Sequence, residues 1–167
     1  MGLDITAVKN ARLVGKMPVE KFEEKLFPGC RLIYVYADYV NDGFMAAKDL
    51  SPDSVYEYED SFEFRAGSYG GYNDWREALS MFAYNVPPSV VWKNNDAYKD
   101  KPFYRLINFS DCEGIIGPEE CKKLDKNFRD YQEAFSNSSA NEWHKEKYNE
   151  WLKAFGLAAD NGFVEFH

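Results

Sequence analysis

Residues 55–65, VYEYEDSFEFR, alternate with a period of two. Tyr56, Tyr58, Phe62 and Phe64 fall on one side, and Glu57, Glu59, Glu63 and Arg65 fall on the other. Side chains along a strand point to opposite faces in turn. The stretch therefore predicts a long half-buried strand, or a hairpin turning near Asp60 and Ser61, with an acidic row facing outward. A chain carrying such a face must cover it with another layer.

The covering layer is legible further on. Gly117 and Pro118 open a run in which Cys121, Leu124, Phe128, Tyr131 and Phe135 are spaced 3, 4, 3 and 4, which is helical spacing. A second helix is expected over about 142–159, burying Trp151, Leu152, Phe155 and Ala159 and stopped by DNG at 160–162. A third begins near Asn73 or Asp74, buries Trp75, Leu79 and Phe82, and ends at NVPPS. A short helical segment near 18–26 is opened by Pro18. Strands are expected at 3–8, 31–37 and 102–109 (PFYRLINF) and in the closing FVEFH, with 85–101 as a polar loop. No linker divides the chain. The expectation is an α+β fold, one domain over 1–167, with a mainly antiparallel or mixed sheet packed against three to four helices.

An aromatic content of 17% argues for a folded chain, because disordered chains are poor in aromatics. No apolar run approaches the ~20 residues of a membrane-spanning helix, and MGLDITAVKN has neither the basic nor the apolar region of a secretory signal. Gly2 and Thr6 match an acylation pattern, but Leu3, Ile5 and Ala7 alternate as a first strand would. The expected location is the cytoplasm, without membrane association. Three cysteines, Cys30, Cys112 and Cys121, contain no C-x-x-C and read as reduced thiols, Cys121 in the core.

The formal net charge is −8. Between Asp38 and Glu63 there are eight acids against one base, Lys48, so that stretch carries almost the whole imbalance. Phosphate backbones are gripped by clustered Lys and Arg, so direct binding of nucleic acid is not expected. A basic partner, a cation or imitation of nucleic acid remains compatible.

Two glycine-bearing polar segments each lie between an expected strand and an expected helix. The first, FRAGSYGGYNDWREAL at 64–79, offers Arg65, Gly67, Ser68, Tyr69, Tyr72, Trp75 and Arg76. Glycine backbones permit close approach, arginines grip oxyanions, and aromatic rings stack on bases, so these residues suit a small anionic, nucleotide-like ligand. They do not spell a P-loop or a dinucleotide fingerprint. The plainer alternative has Arg65 pairing with Glu63 while Tyr69 and Trp75 serve as core. The second segment, NFSDCEGIIG at 108–117, supplies Ser110, Asp111 and Glu113. Two carboxylates can act as acid and base or hold Mg²⁺; the alternative is an Asp111 that caps local N–H groups. If the preceding strands are parallel neighbours, the two segments face each other across one cleft.

Of two histidines, His144 sits among charged residues of the last helix and reads as surface, whereas His167 closes a strand and is a candidate general base. No metal site is spelled out, and no cofactor is required, although Mg²⁺ is compatible with the acidic segment.

The blocks GLDITA at 2–7, FRAGSYGGYNDWR at 64–76, PFYRLINFSDCEGIIGPE at 102–119 and AFGLAADNGFVEFH at 154–167 resemble a family of short uncharacterised proteins of bacteriophages and prophages. The resemblance covers about a third of the chain and implies no established activity. It implies a phage or prophage origin, hence the host cytoplasm, and a shared surface at the two segments and the chain's end.

Three functions are compatible with these features. The first is a non-enzymatic accessory protein that binds a small anionic ligand or a host defence protein through Arg65, Ser68, Tyr69, Tyr72, Trp75 and Arg76, with Gly67 and Ser110 alongside. The second is a hydrolase or transferase on a nucleotide-like substrate, with Asp111, Glu113 and His167 as catalytic groups, with or without a divalent metal. The third is an acidic mimic of DNA using 38–63.

Overall fold

The computed structural model describes residues 2–167. Its elements, in chain order, begin with β1 (Gly2–Lys9), β2 (Arg12–Lys16), α1 (Val19–Glu23), β3 (Leu32–Val35), α2 (Ala37–Val40), β4 (Ser54–Glu57) and β5 (Asp60–Ser68). They continue with α3 (Tyr69–Tyr84), α4 (Pro88–Lys93), α5 (Asn95–Tyr98), α6 (Tyr104–Ile107), β6 (Gly114–Ile116), α7 (Pro118–Ser136), α8 (Glu142–Ala158) and β7 (Phe163–Phe166). Two antiparallel sheets result, one ordered β5-β1-β7-β6 and one ordered β2-β4-β3. The fold is α+β, as the mixture of periods predicts.

The layers follow from which face each strand buries. On one face of the four-stranded sheet, Leu3, Ile5, Ala7, Phe64, Val164 and Phe166 meet α3, α7 and α8 in the main core. Trp151 is its hub, with ring centroids 5.0 Å from Phe64, 5.6 Å from Trp75 and 5.5 Å from Phe166. Of the expected helical stripe of α7, Cys121, Leu124, Phe128 and Phe135 are buried, whereas Tyr131 is exposed at its edge. On the opposite face, Val8, Phe163 and Ile115 form a smaller core with Val35 and Tyr56 of the three-stranded sheet. That second core covers only one end of the face, and this partial cover creates the site described below.

Several segments differ from the sequence reading. The alternating run 55–65 is neither one strand nor a hairpin. The chain leaves the three-stranded sheet after β4 and enters the four-stranded sheet as β5, so Tyr56 and Phe64 are buried in different cores. Periodicity fixes which residues share a side but carries no information about the partner sheet. PFYRLINF is not a strand: Phe103 adopts φ 65° and the chain turns into α6, with Phe103, Leu106, Ile107 and Phe109 all buried. An apolar run buried on all sides loses the period that separates strand from helix. The strand comes later, as β6, inside the expected loop. The polar loop 85–101 holds the short helices α4 and α5.

Candidate functional site

FRAGSYGGYNDWREAL is a strand-to-helix junction, and two of its three glycines lie within the helix. Helix α3 starts at Tyr69, four residues before the expected Asn73, because Ser68 caps it: Ser68 Oγ accepts from Gly71 N at 3.0 Å. Gly67, at φ 127°, supplies the backbone turn that L side chains rarely adopt. The side chains then divide by burial. Tyr69 is exposed, whereas Tyr72 and Trp75 lie fully in the core, and Trp75 Nε1 donates to His144 O at 3.1 Å. Their rings are committed to packing rather than offered as stacking platforms.

Arg65 pairs with Asp4 across the sheet at 3.6 Å rather than with Glu63 on its own strand. Arg76 is buried between the rings of Tyr72 and Trp92, at 5.3 and 5.1 Å from their centroids. Its Nη1 donates to Phe109 O at 2.6 Å, its Nη2 donates to Asn73 Oδ1, and Nη2 lies 3.9 Å from Asp111 Oδ2. A guanidinium spent this way fastens α3 to residues 109–111 and has no free fork for an oxyanion.

The two glycine-bearing segments do meet, although no strands are parallel. Asn73 Nδ2 donates to Asp111 Oδ2 at 2.9 Å, and a shallow cleft of about 450 Å³ lies where Arg76, Trp92, Ser110 and Asp111 come together. Local capping falls to Ser110, whose Oγ accepts from Cys112 N and Glu113 N at 3.2 and 3.3 Å, and not to Asp111. His144 is also reassigned. It is buried, with Nε2 2.7 Å from Asp74 Oδ2, and it links α8 to α3.

Asp111, Glu113 and His167 are not brought together as one trio. Asp111 faces Asn73 and Arg76, while His167 lies on the outer face of the four-stranded sheet, at the end that the second core leaves uncovered. Strand register arranges that end in rows. Glu63, Thr6, Glu165 and Ile115 stand side by side across β5, β1, β7 and β6. Arg65 and Asp4 stand in the next row, where Asp4 and His167 exchange both backbone hydrogen bonds at 2.9 and 3.0 Å. Glu113 precedes Gly114, which pairs with Phe166, so Glu113 adjoins the same rim. His167 is thereby held in the sheet, and its Nε2 is 2.9 Å from Thr6 Oγ1.

Glu165 occupies the boundary between the apolar and polar ends of this face. Phe163 lies two residues before it in the second core, and the half-buried Tyr39 of α2 packs against that core beside it. No hydrogen bond or ion pair reaches the Glu165 side chain from any described residue. Burial without compensation disfavours the ionised form and pushes its pKa from 4.5 to about 7. Tyr39 is pushed up to about 12, first by burial and then by the charges of Glu113 and Glu165. Tyr39 thus senses both carboxylates at this rim. Asp42, beside Gly114, is also raised by burial, and its Oδ2 is buried without a partner.

Sequence reasoning placed His167 and Glu113 among the candidates but missed Glu165 and Thr6. The available signal was a single acid inside FVEF, a strand otherwise apolar on both faces. Among the described residues, no group of three or more His, Cys, Asp and Glu side chains is placed to hold a metal ion, and no helix is long and apolar enough to cross a membrane. Comparison of the chain with protein-family models, curated proteins and solved structures found no match.

Proposed function

We propose that the chain performs acid–base chemistry, as a hydrolase or transferase, on a small neutral or amine-bearing molecule at the Glu165 rim. The observation that carries this reading is a half-buried carboxyl without a hydrogen-bonding partner among the described residues, set beside a hydroxyl–imidazole pair that reaches solvent. A general acid or base works best when its pKa lies near the working pH, and uncompensated burial brings Glu165 there. Thr6 stands opposite Glu165 in register and contacts His167 Nε2 at 2.9 Å, which places a hydroxyl and an imidazole on the same face as the carboxyl. The substrate class follows from charge. Asp4, Glu63 and Glu113 ring the site, and the one cation there among the described residues, Arg65, is paired with Asp4. A phosphate would be repelled, which moves the substrate away from the nucleotide expected from sequence.

The test is turnover of a panel of neutral and amine-bearing esters and amides across pH 5–9 by the wild type and Glu165→Gln. The expected result is a rate with an inflection near pH 7 and a loss of about 10²-fold or more in the variant. No turnover across the panel, or a rate that Glu165→Gln leaves intact, contradicts the reading.

A further inference from the structure

A cluster of cationic side chains in this acidic chain lies away from the Glu165 rim. A cleft of about 520 Å³ is lined by Lys48, Lys99, Lys101, Arg105, Lys123 and Lys126 together with Asp100 and Glu120, and Asp96, Glu119 and Asp130 pair with its lysines from outside the lining. Its size falls within the range of small-molecule sites. Six of the chain's 20 cationic side chains meet here, although the chain as a whole carries −8.

We propose that this cleft binds a compact multivalent oxyanion of the phosphate type. Its cations differ in how firmly they are already held. Lys101 has no carboxylate within ion-pair distance among the described residues, and its Nζ rests over the rings of Tyr98 and Tyr84 at 4.7 and 5.9 Å. Arg105 is largely buried and oriented from behind. One of its Nη groups donates to Phe44 O, and Nε lies 3.4 Å from Glu120 Oε2 without forming a hydrogen bond. Asn127 accepts from Phe103 N at 2.9 Å through Oδ1, which leaves its amide N–H groups as donors at the cleft. The remaining lysines have carboxylate neighbours: Lys48 and Lys123 reach Glu119 at 3.6 and 3.3 Å, Lys123 reaches Glu120 at 3.0 Å, Lys99 reaches Asp96 at 3.3 Å, and Lys126 reaches Asp130. These four lysines are more than half exposed, and exposed pairs are worth little, so an incoming dianion can take them over. The anionic ligand that the sequence suggests for Arg65 and Arg76 finds better chemistry here.

The test is titration of the ¹⁵N-labelled full chain with inorganic pyrophosphate, with sodium chloride at matched ionic strength as control. The expected result is saturable shifts of amides around Lys101, Arg105, Lys123 and Asn127, absent with chloride. A Lys101→Ala, Lys123→Ala double variant, altered at two exposed positions, should bind at least tenfold more weakly while its remaining spectrum is unchanged. Shifts that do not saturate, that chloride reproduces, that centre elsewhere, or that the double variant retains overturn the proposal. Because the cleft and the rim share no residues, the double variant leaves the pH response of Glu165 unaltered, and the two readings fail separately.

Discussion

Gly162→Ala is expected to destabilise the protein by more than about 4 kcal/mol, the range reserved for severe steric conflict. The reason is a backbone crossing. A Cβ at position 162 would lie 1.7 Å from Val8 O, 2.7 Å from Val8 C and 3.1 Å from Lys9 Cα. All three neighbours are main-chain atoms of β1 and cannot rotate aside. The crossing is fastened on both sides: Gly162 N donates to Ala158 O at 2.8 Å, while Asn10 N and Ala11 N donate to Asp160 O and Asn161 O at 2.8 and 2.9 Å. Relief therefore requires β7 to move away from β1, carrying Glu165 and His167 with it. Thermal unfolding followed by circular dichroism should show the midpoint falling by more than about 8 °C. A midpoint equal to that of the wild type would mean that the chain does not turn from α8 into β7 over the end of β1.

Glu165→Gln is expected to act in the opposite direction, and only at higher pH. The folded-state pKa of Glu165 is raised from 4.5 to about 7, so the folded chain holds this proton more tightly than the unfolded chain does. Between those values the folded state binds more protons, and stability falls as pH rises. The stabilisation from holding the proton is fully present at about pH 4.5 and below, and is lost as pH climbs through about 7. Gln keeps the shape of the protonated acid and cannot ionise. At pH 8 the variant should exceed the wild type by up to about 3 kcal/mol, or roughly 6–12 °C in midpoint. The other titrating groups are common to both proteins and cancel in the comparison. The gain should vanish by pH 4.5. A difference independent of pH would assign any effect to packing.

The architecture was legible where one period ran through one element. α7 and α8 each bury one stripe against the main core, and β1 and β7 each alternate between the two cores, so Ile5, Phe128, Trp151 and Val164 stand where the pattern places them. The reading failed where local pattern is indifferent to long-range partnership. Tyr56 and Phe64 alternate alike yet belong to different sheets. The glycines at 70 and 71 disfavour a helix, which moves the expected start of α3 forward. The Ser68 cap, with Trp143 packed against that first turn, moves it back.

The candidate site was hidden for a related reason. Thr6 and His167 stand 161 residues apart, and the shelter over Glu165 is contributed by Tyr39 and a separate sheet. A sequence shows that an acid is present in FVEF, but its burial is decided by elements more than a hundred residues away. Arg76 gives the converse case: its neighbours in sequence suggest a ligand grip, and the fold turns it inward to hold Phe109.

The claim on which this account turns is that Glu165 keeps its proton to near neutrality, and ¹³C NMR titration of its side-chain carboxyl measures that directly. A midpoint near 7, absent from the spectrum of Glu165→Gln, is the predicted result. A midpoint near the ordinary 4.5 would show a solvated carboxylate and would remove the acid–base site from this face of the sheet.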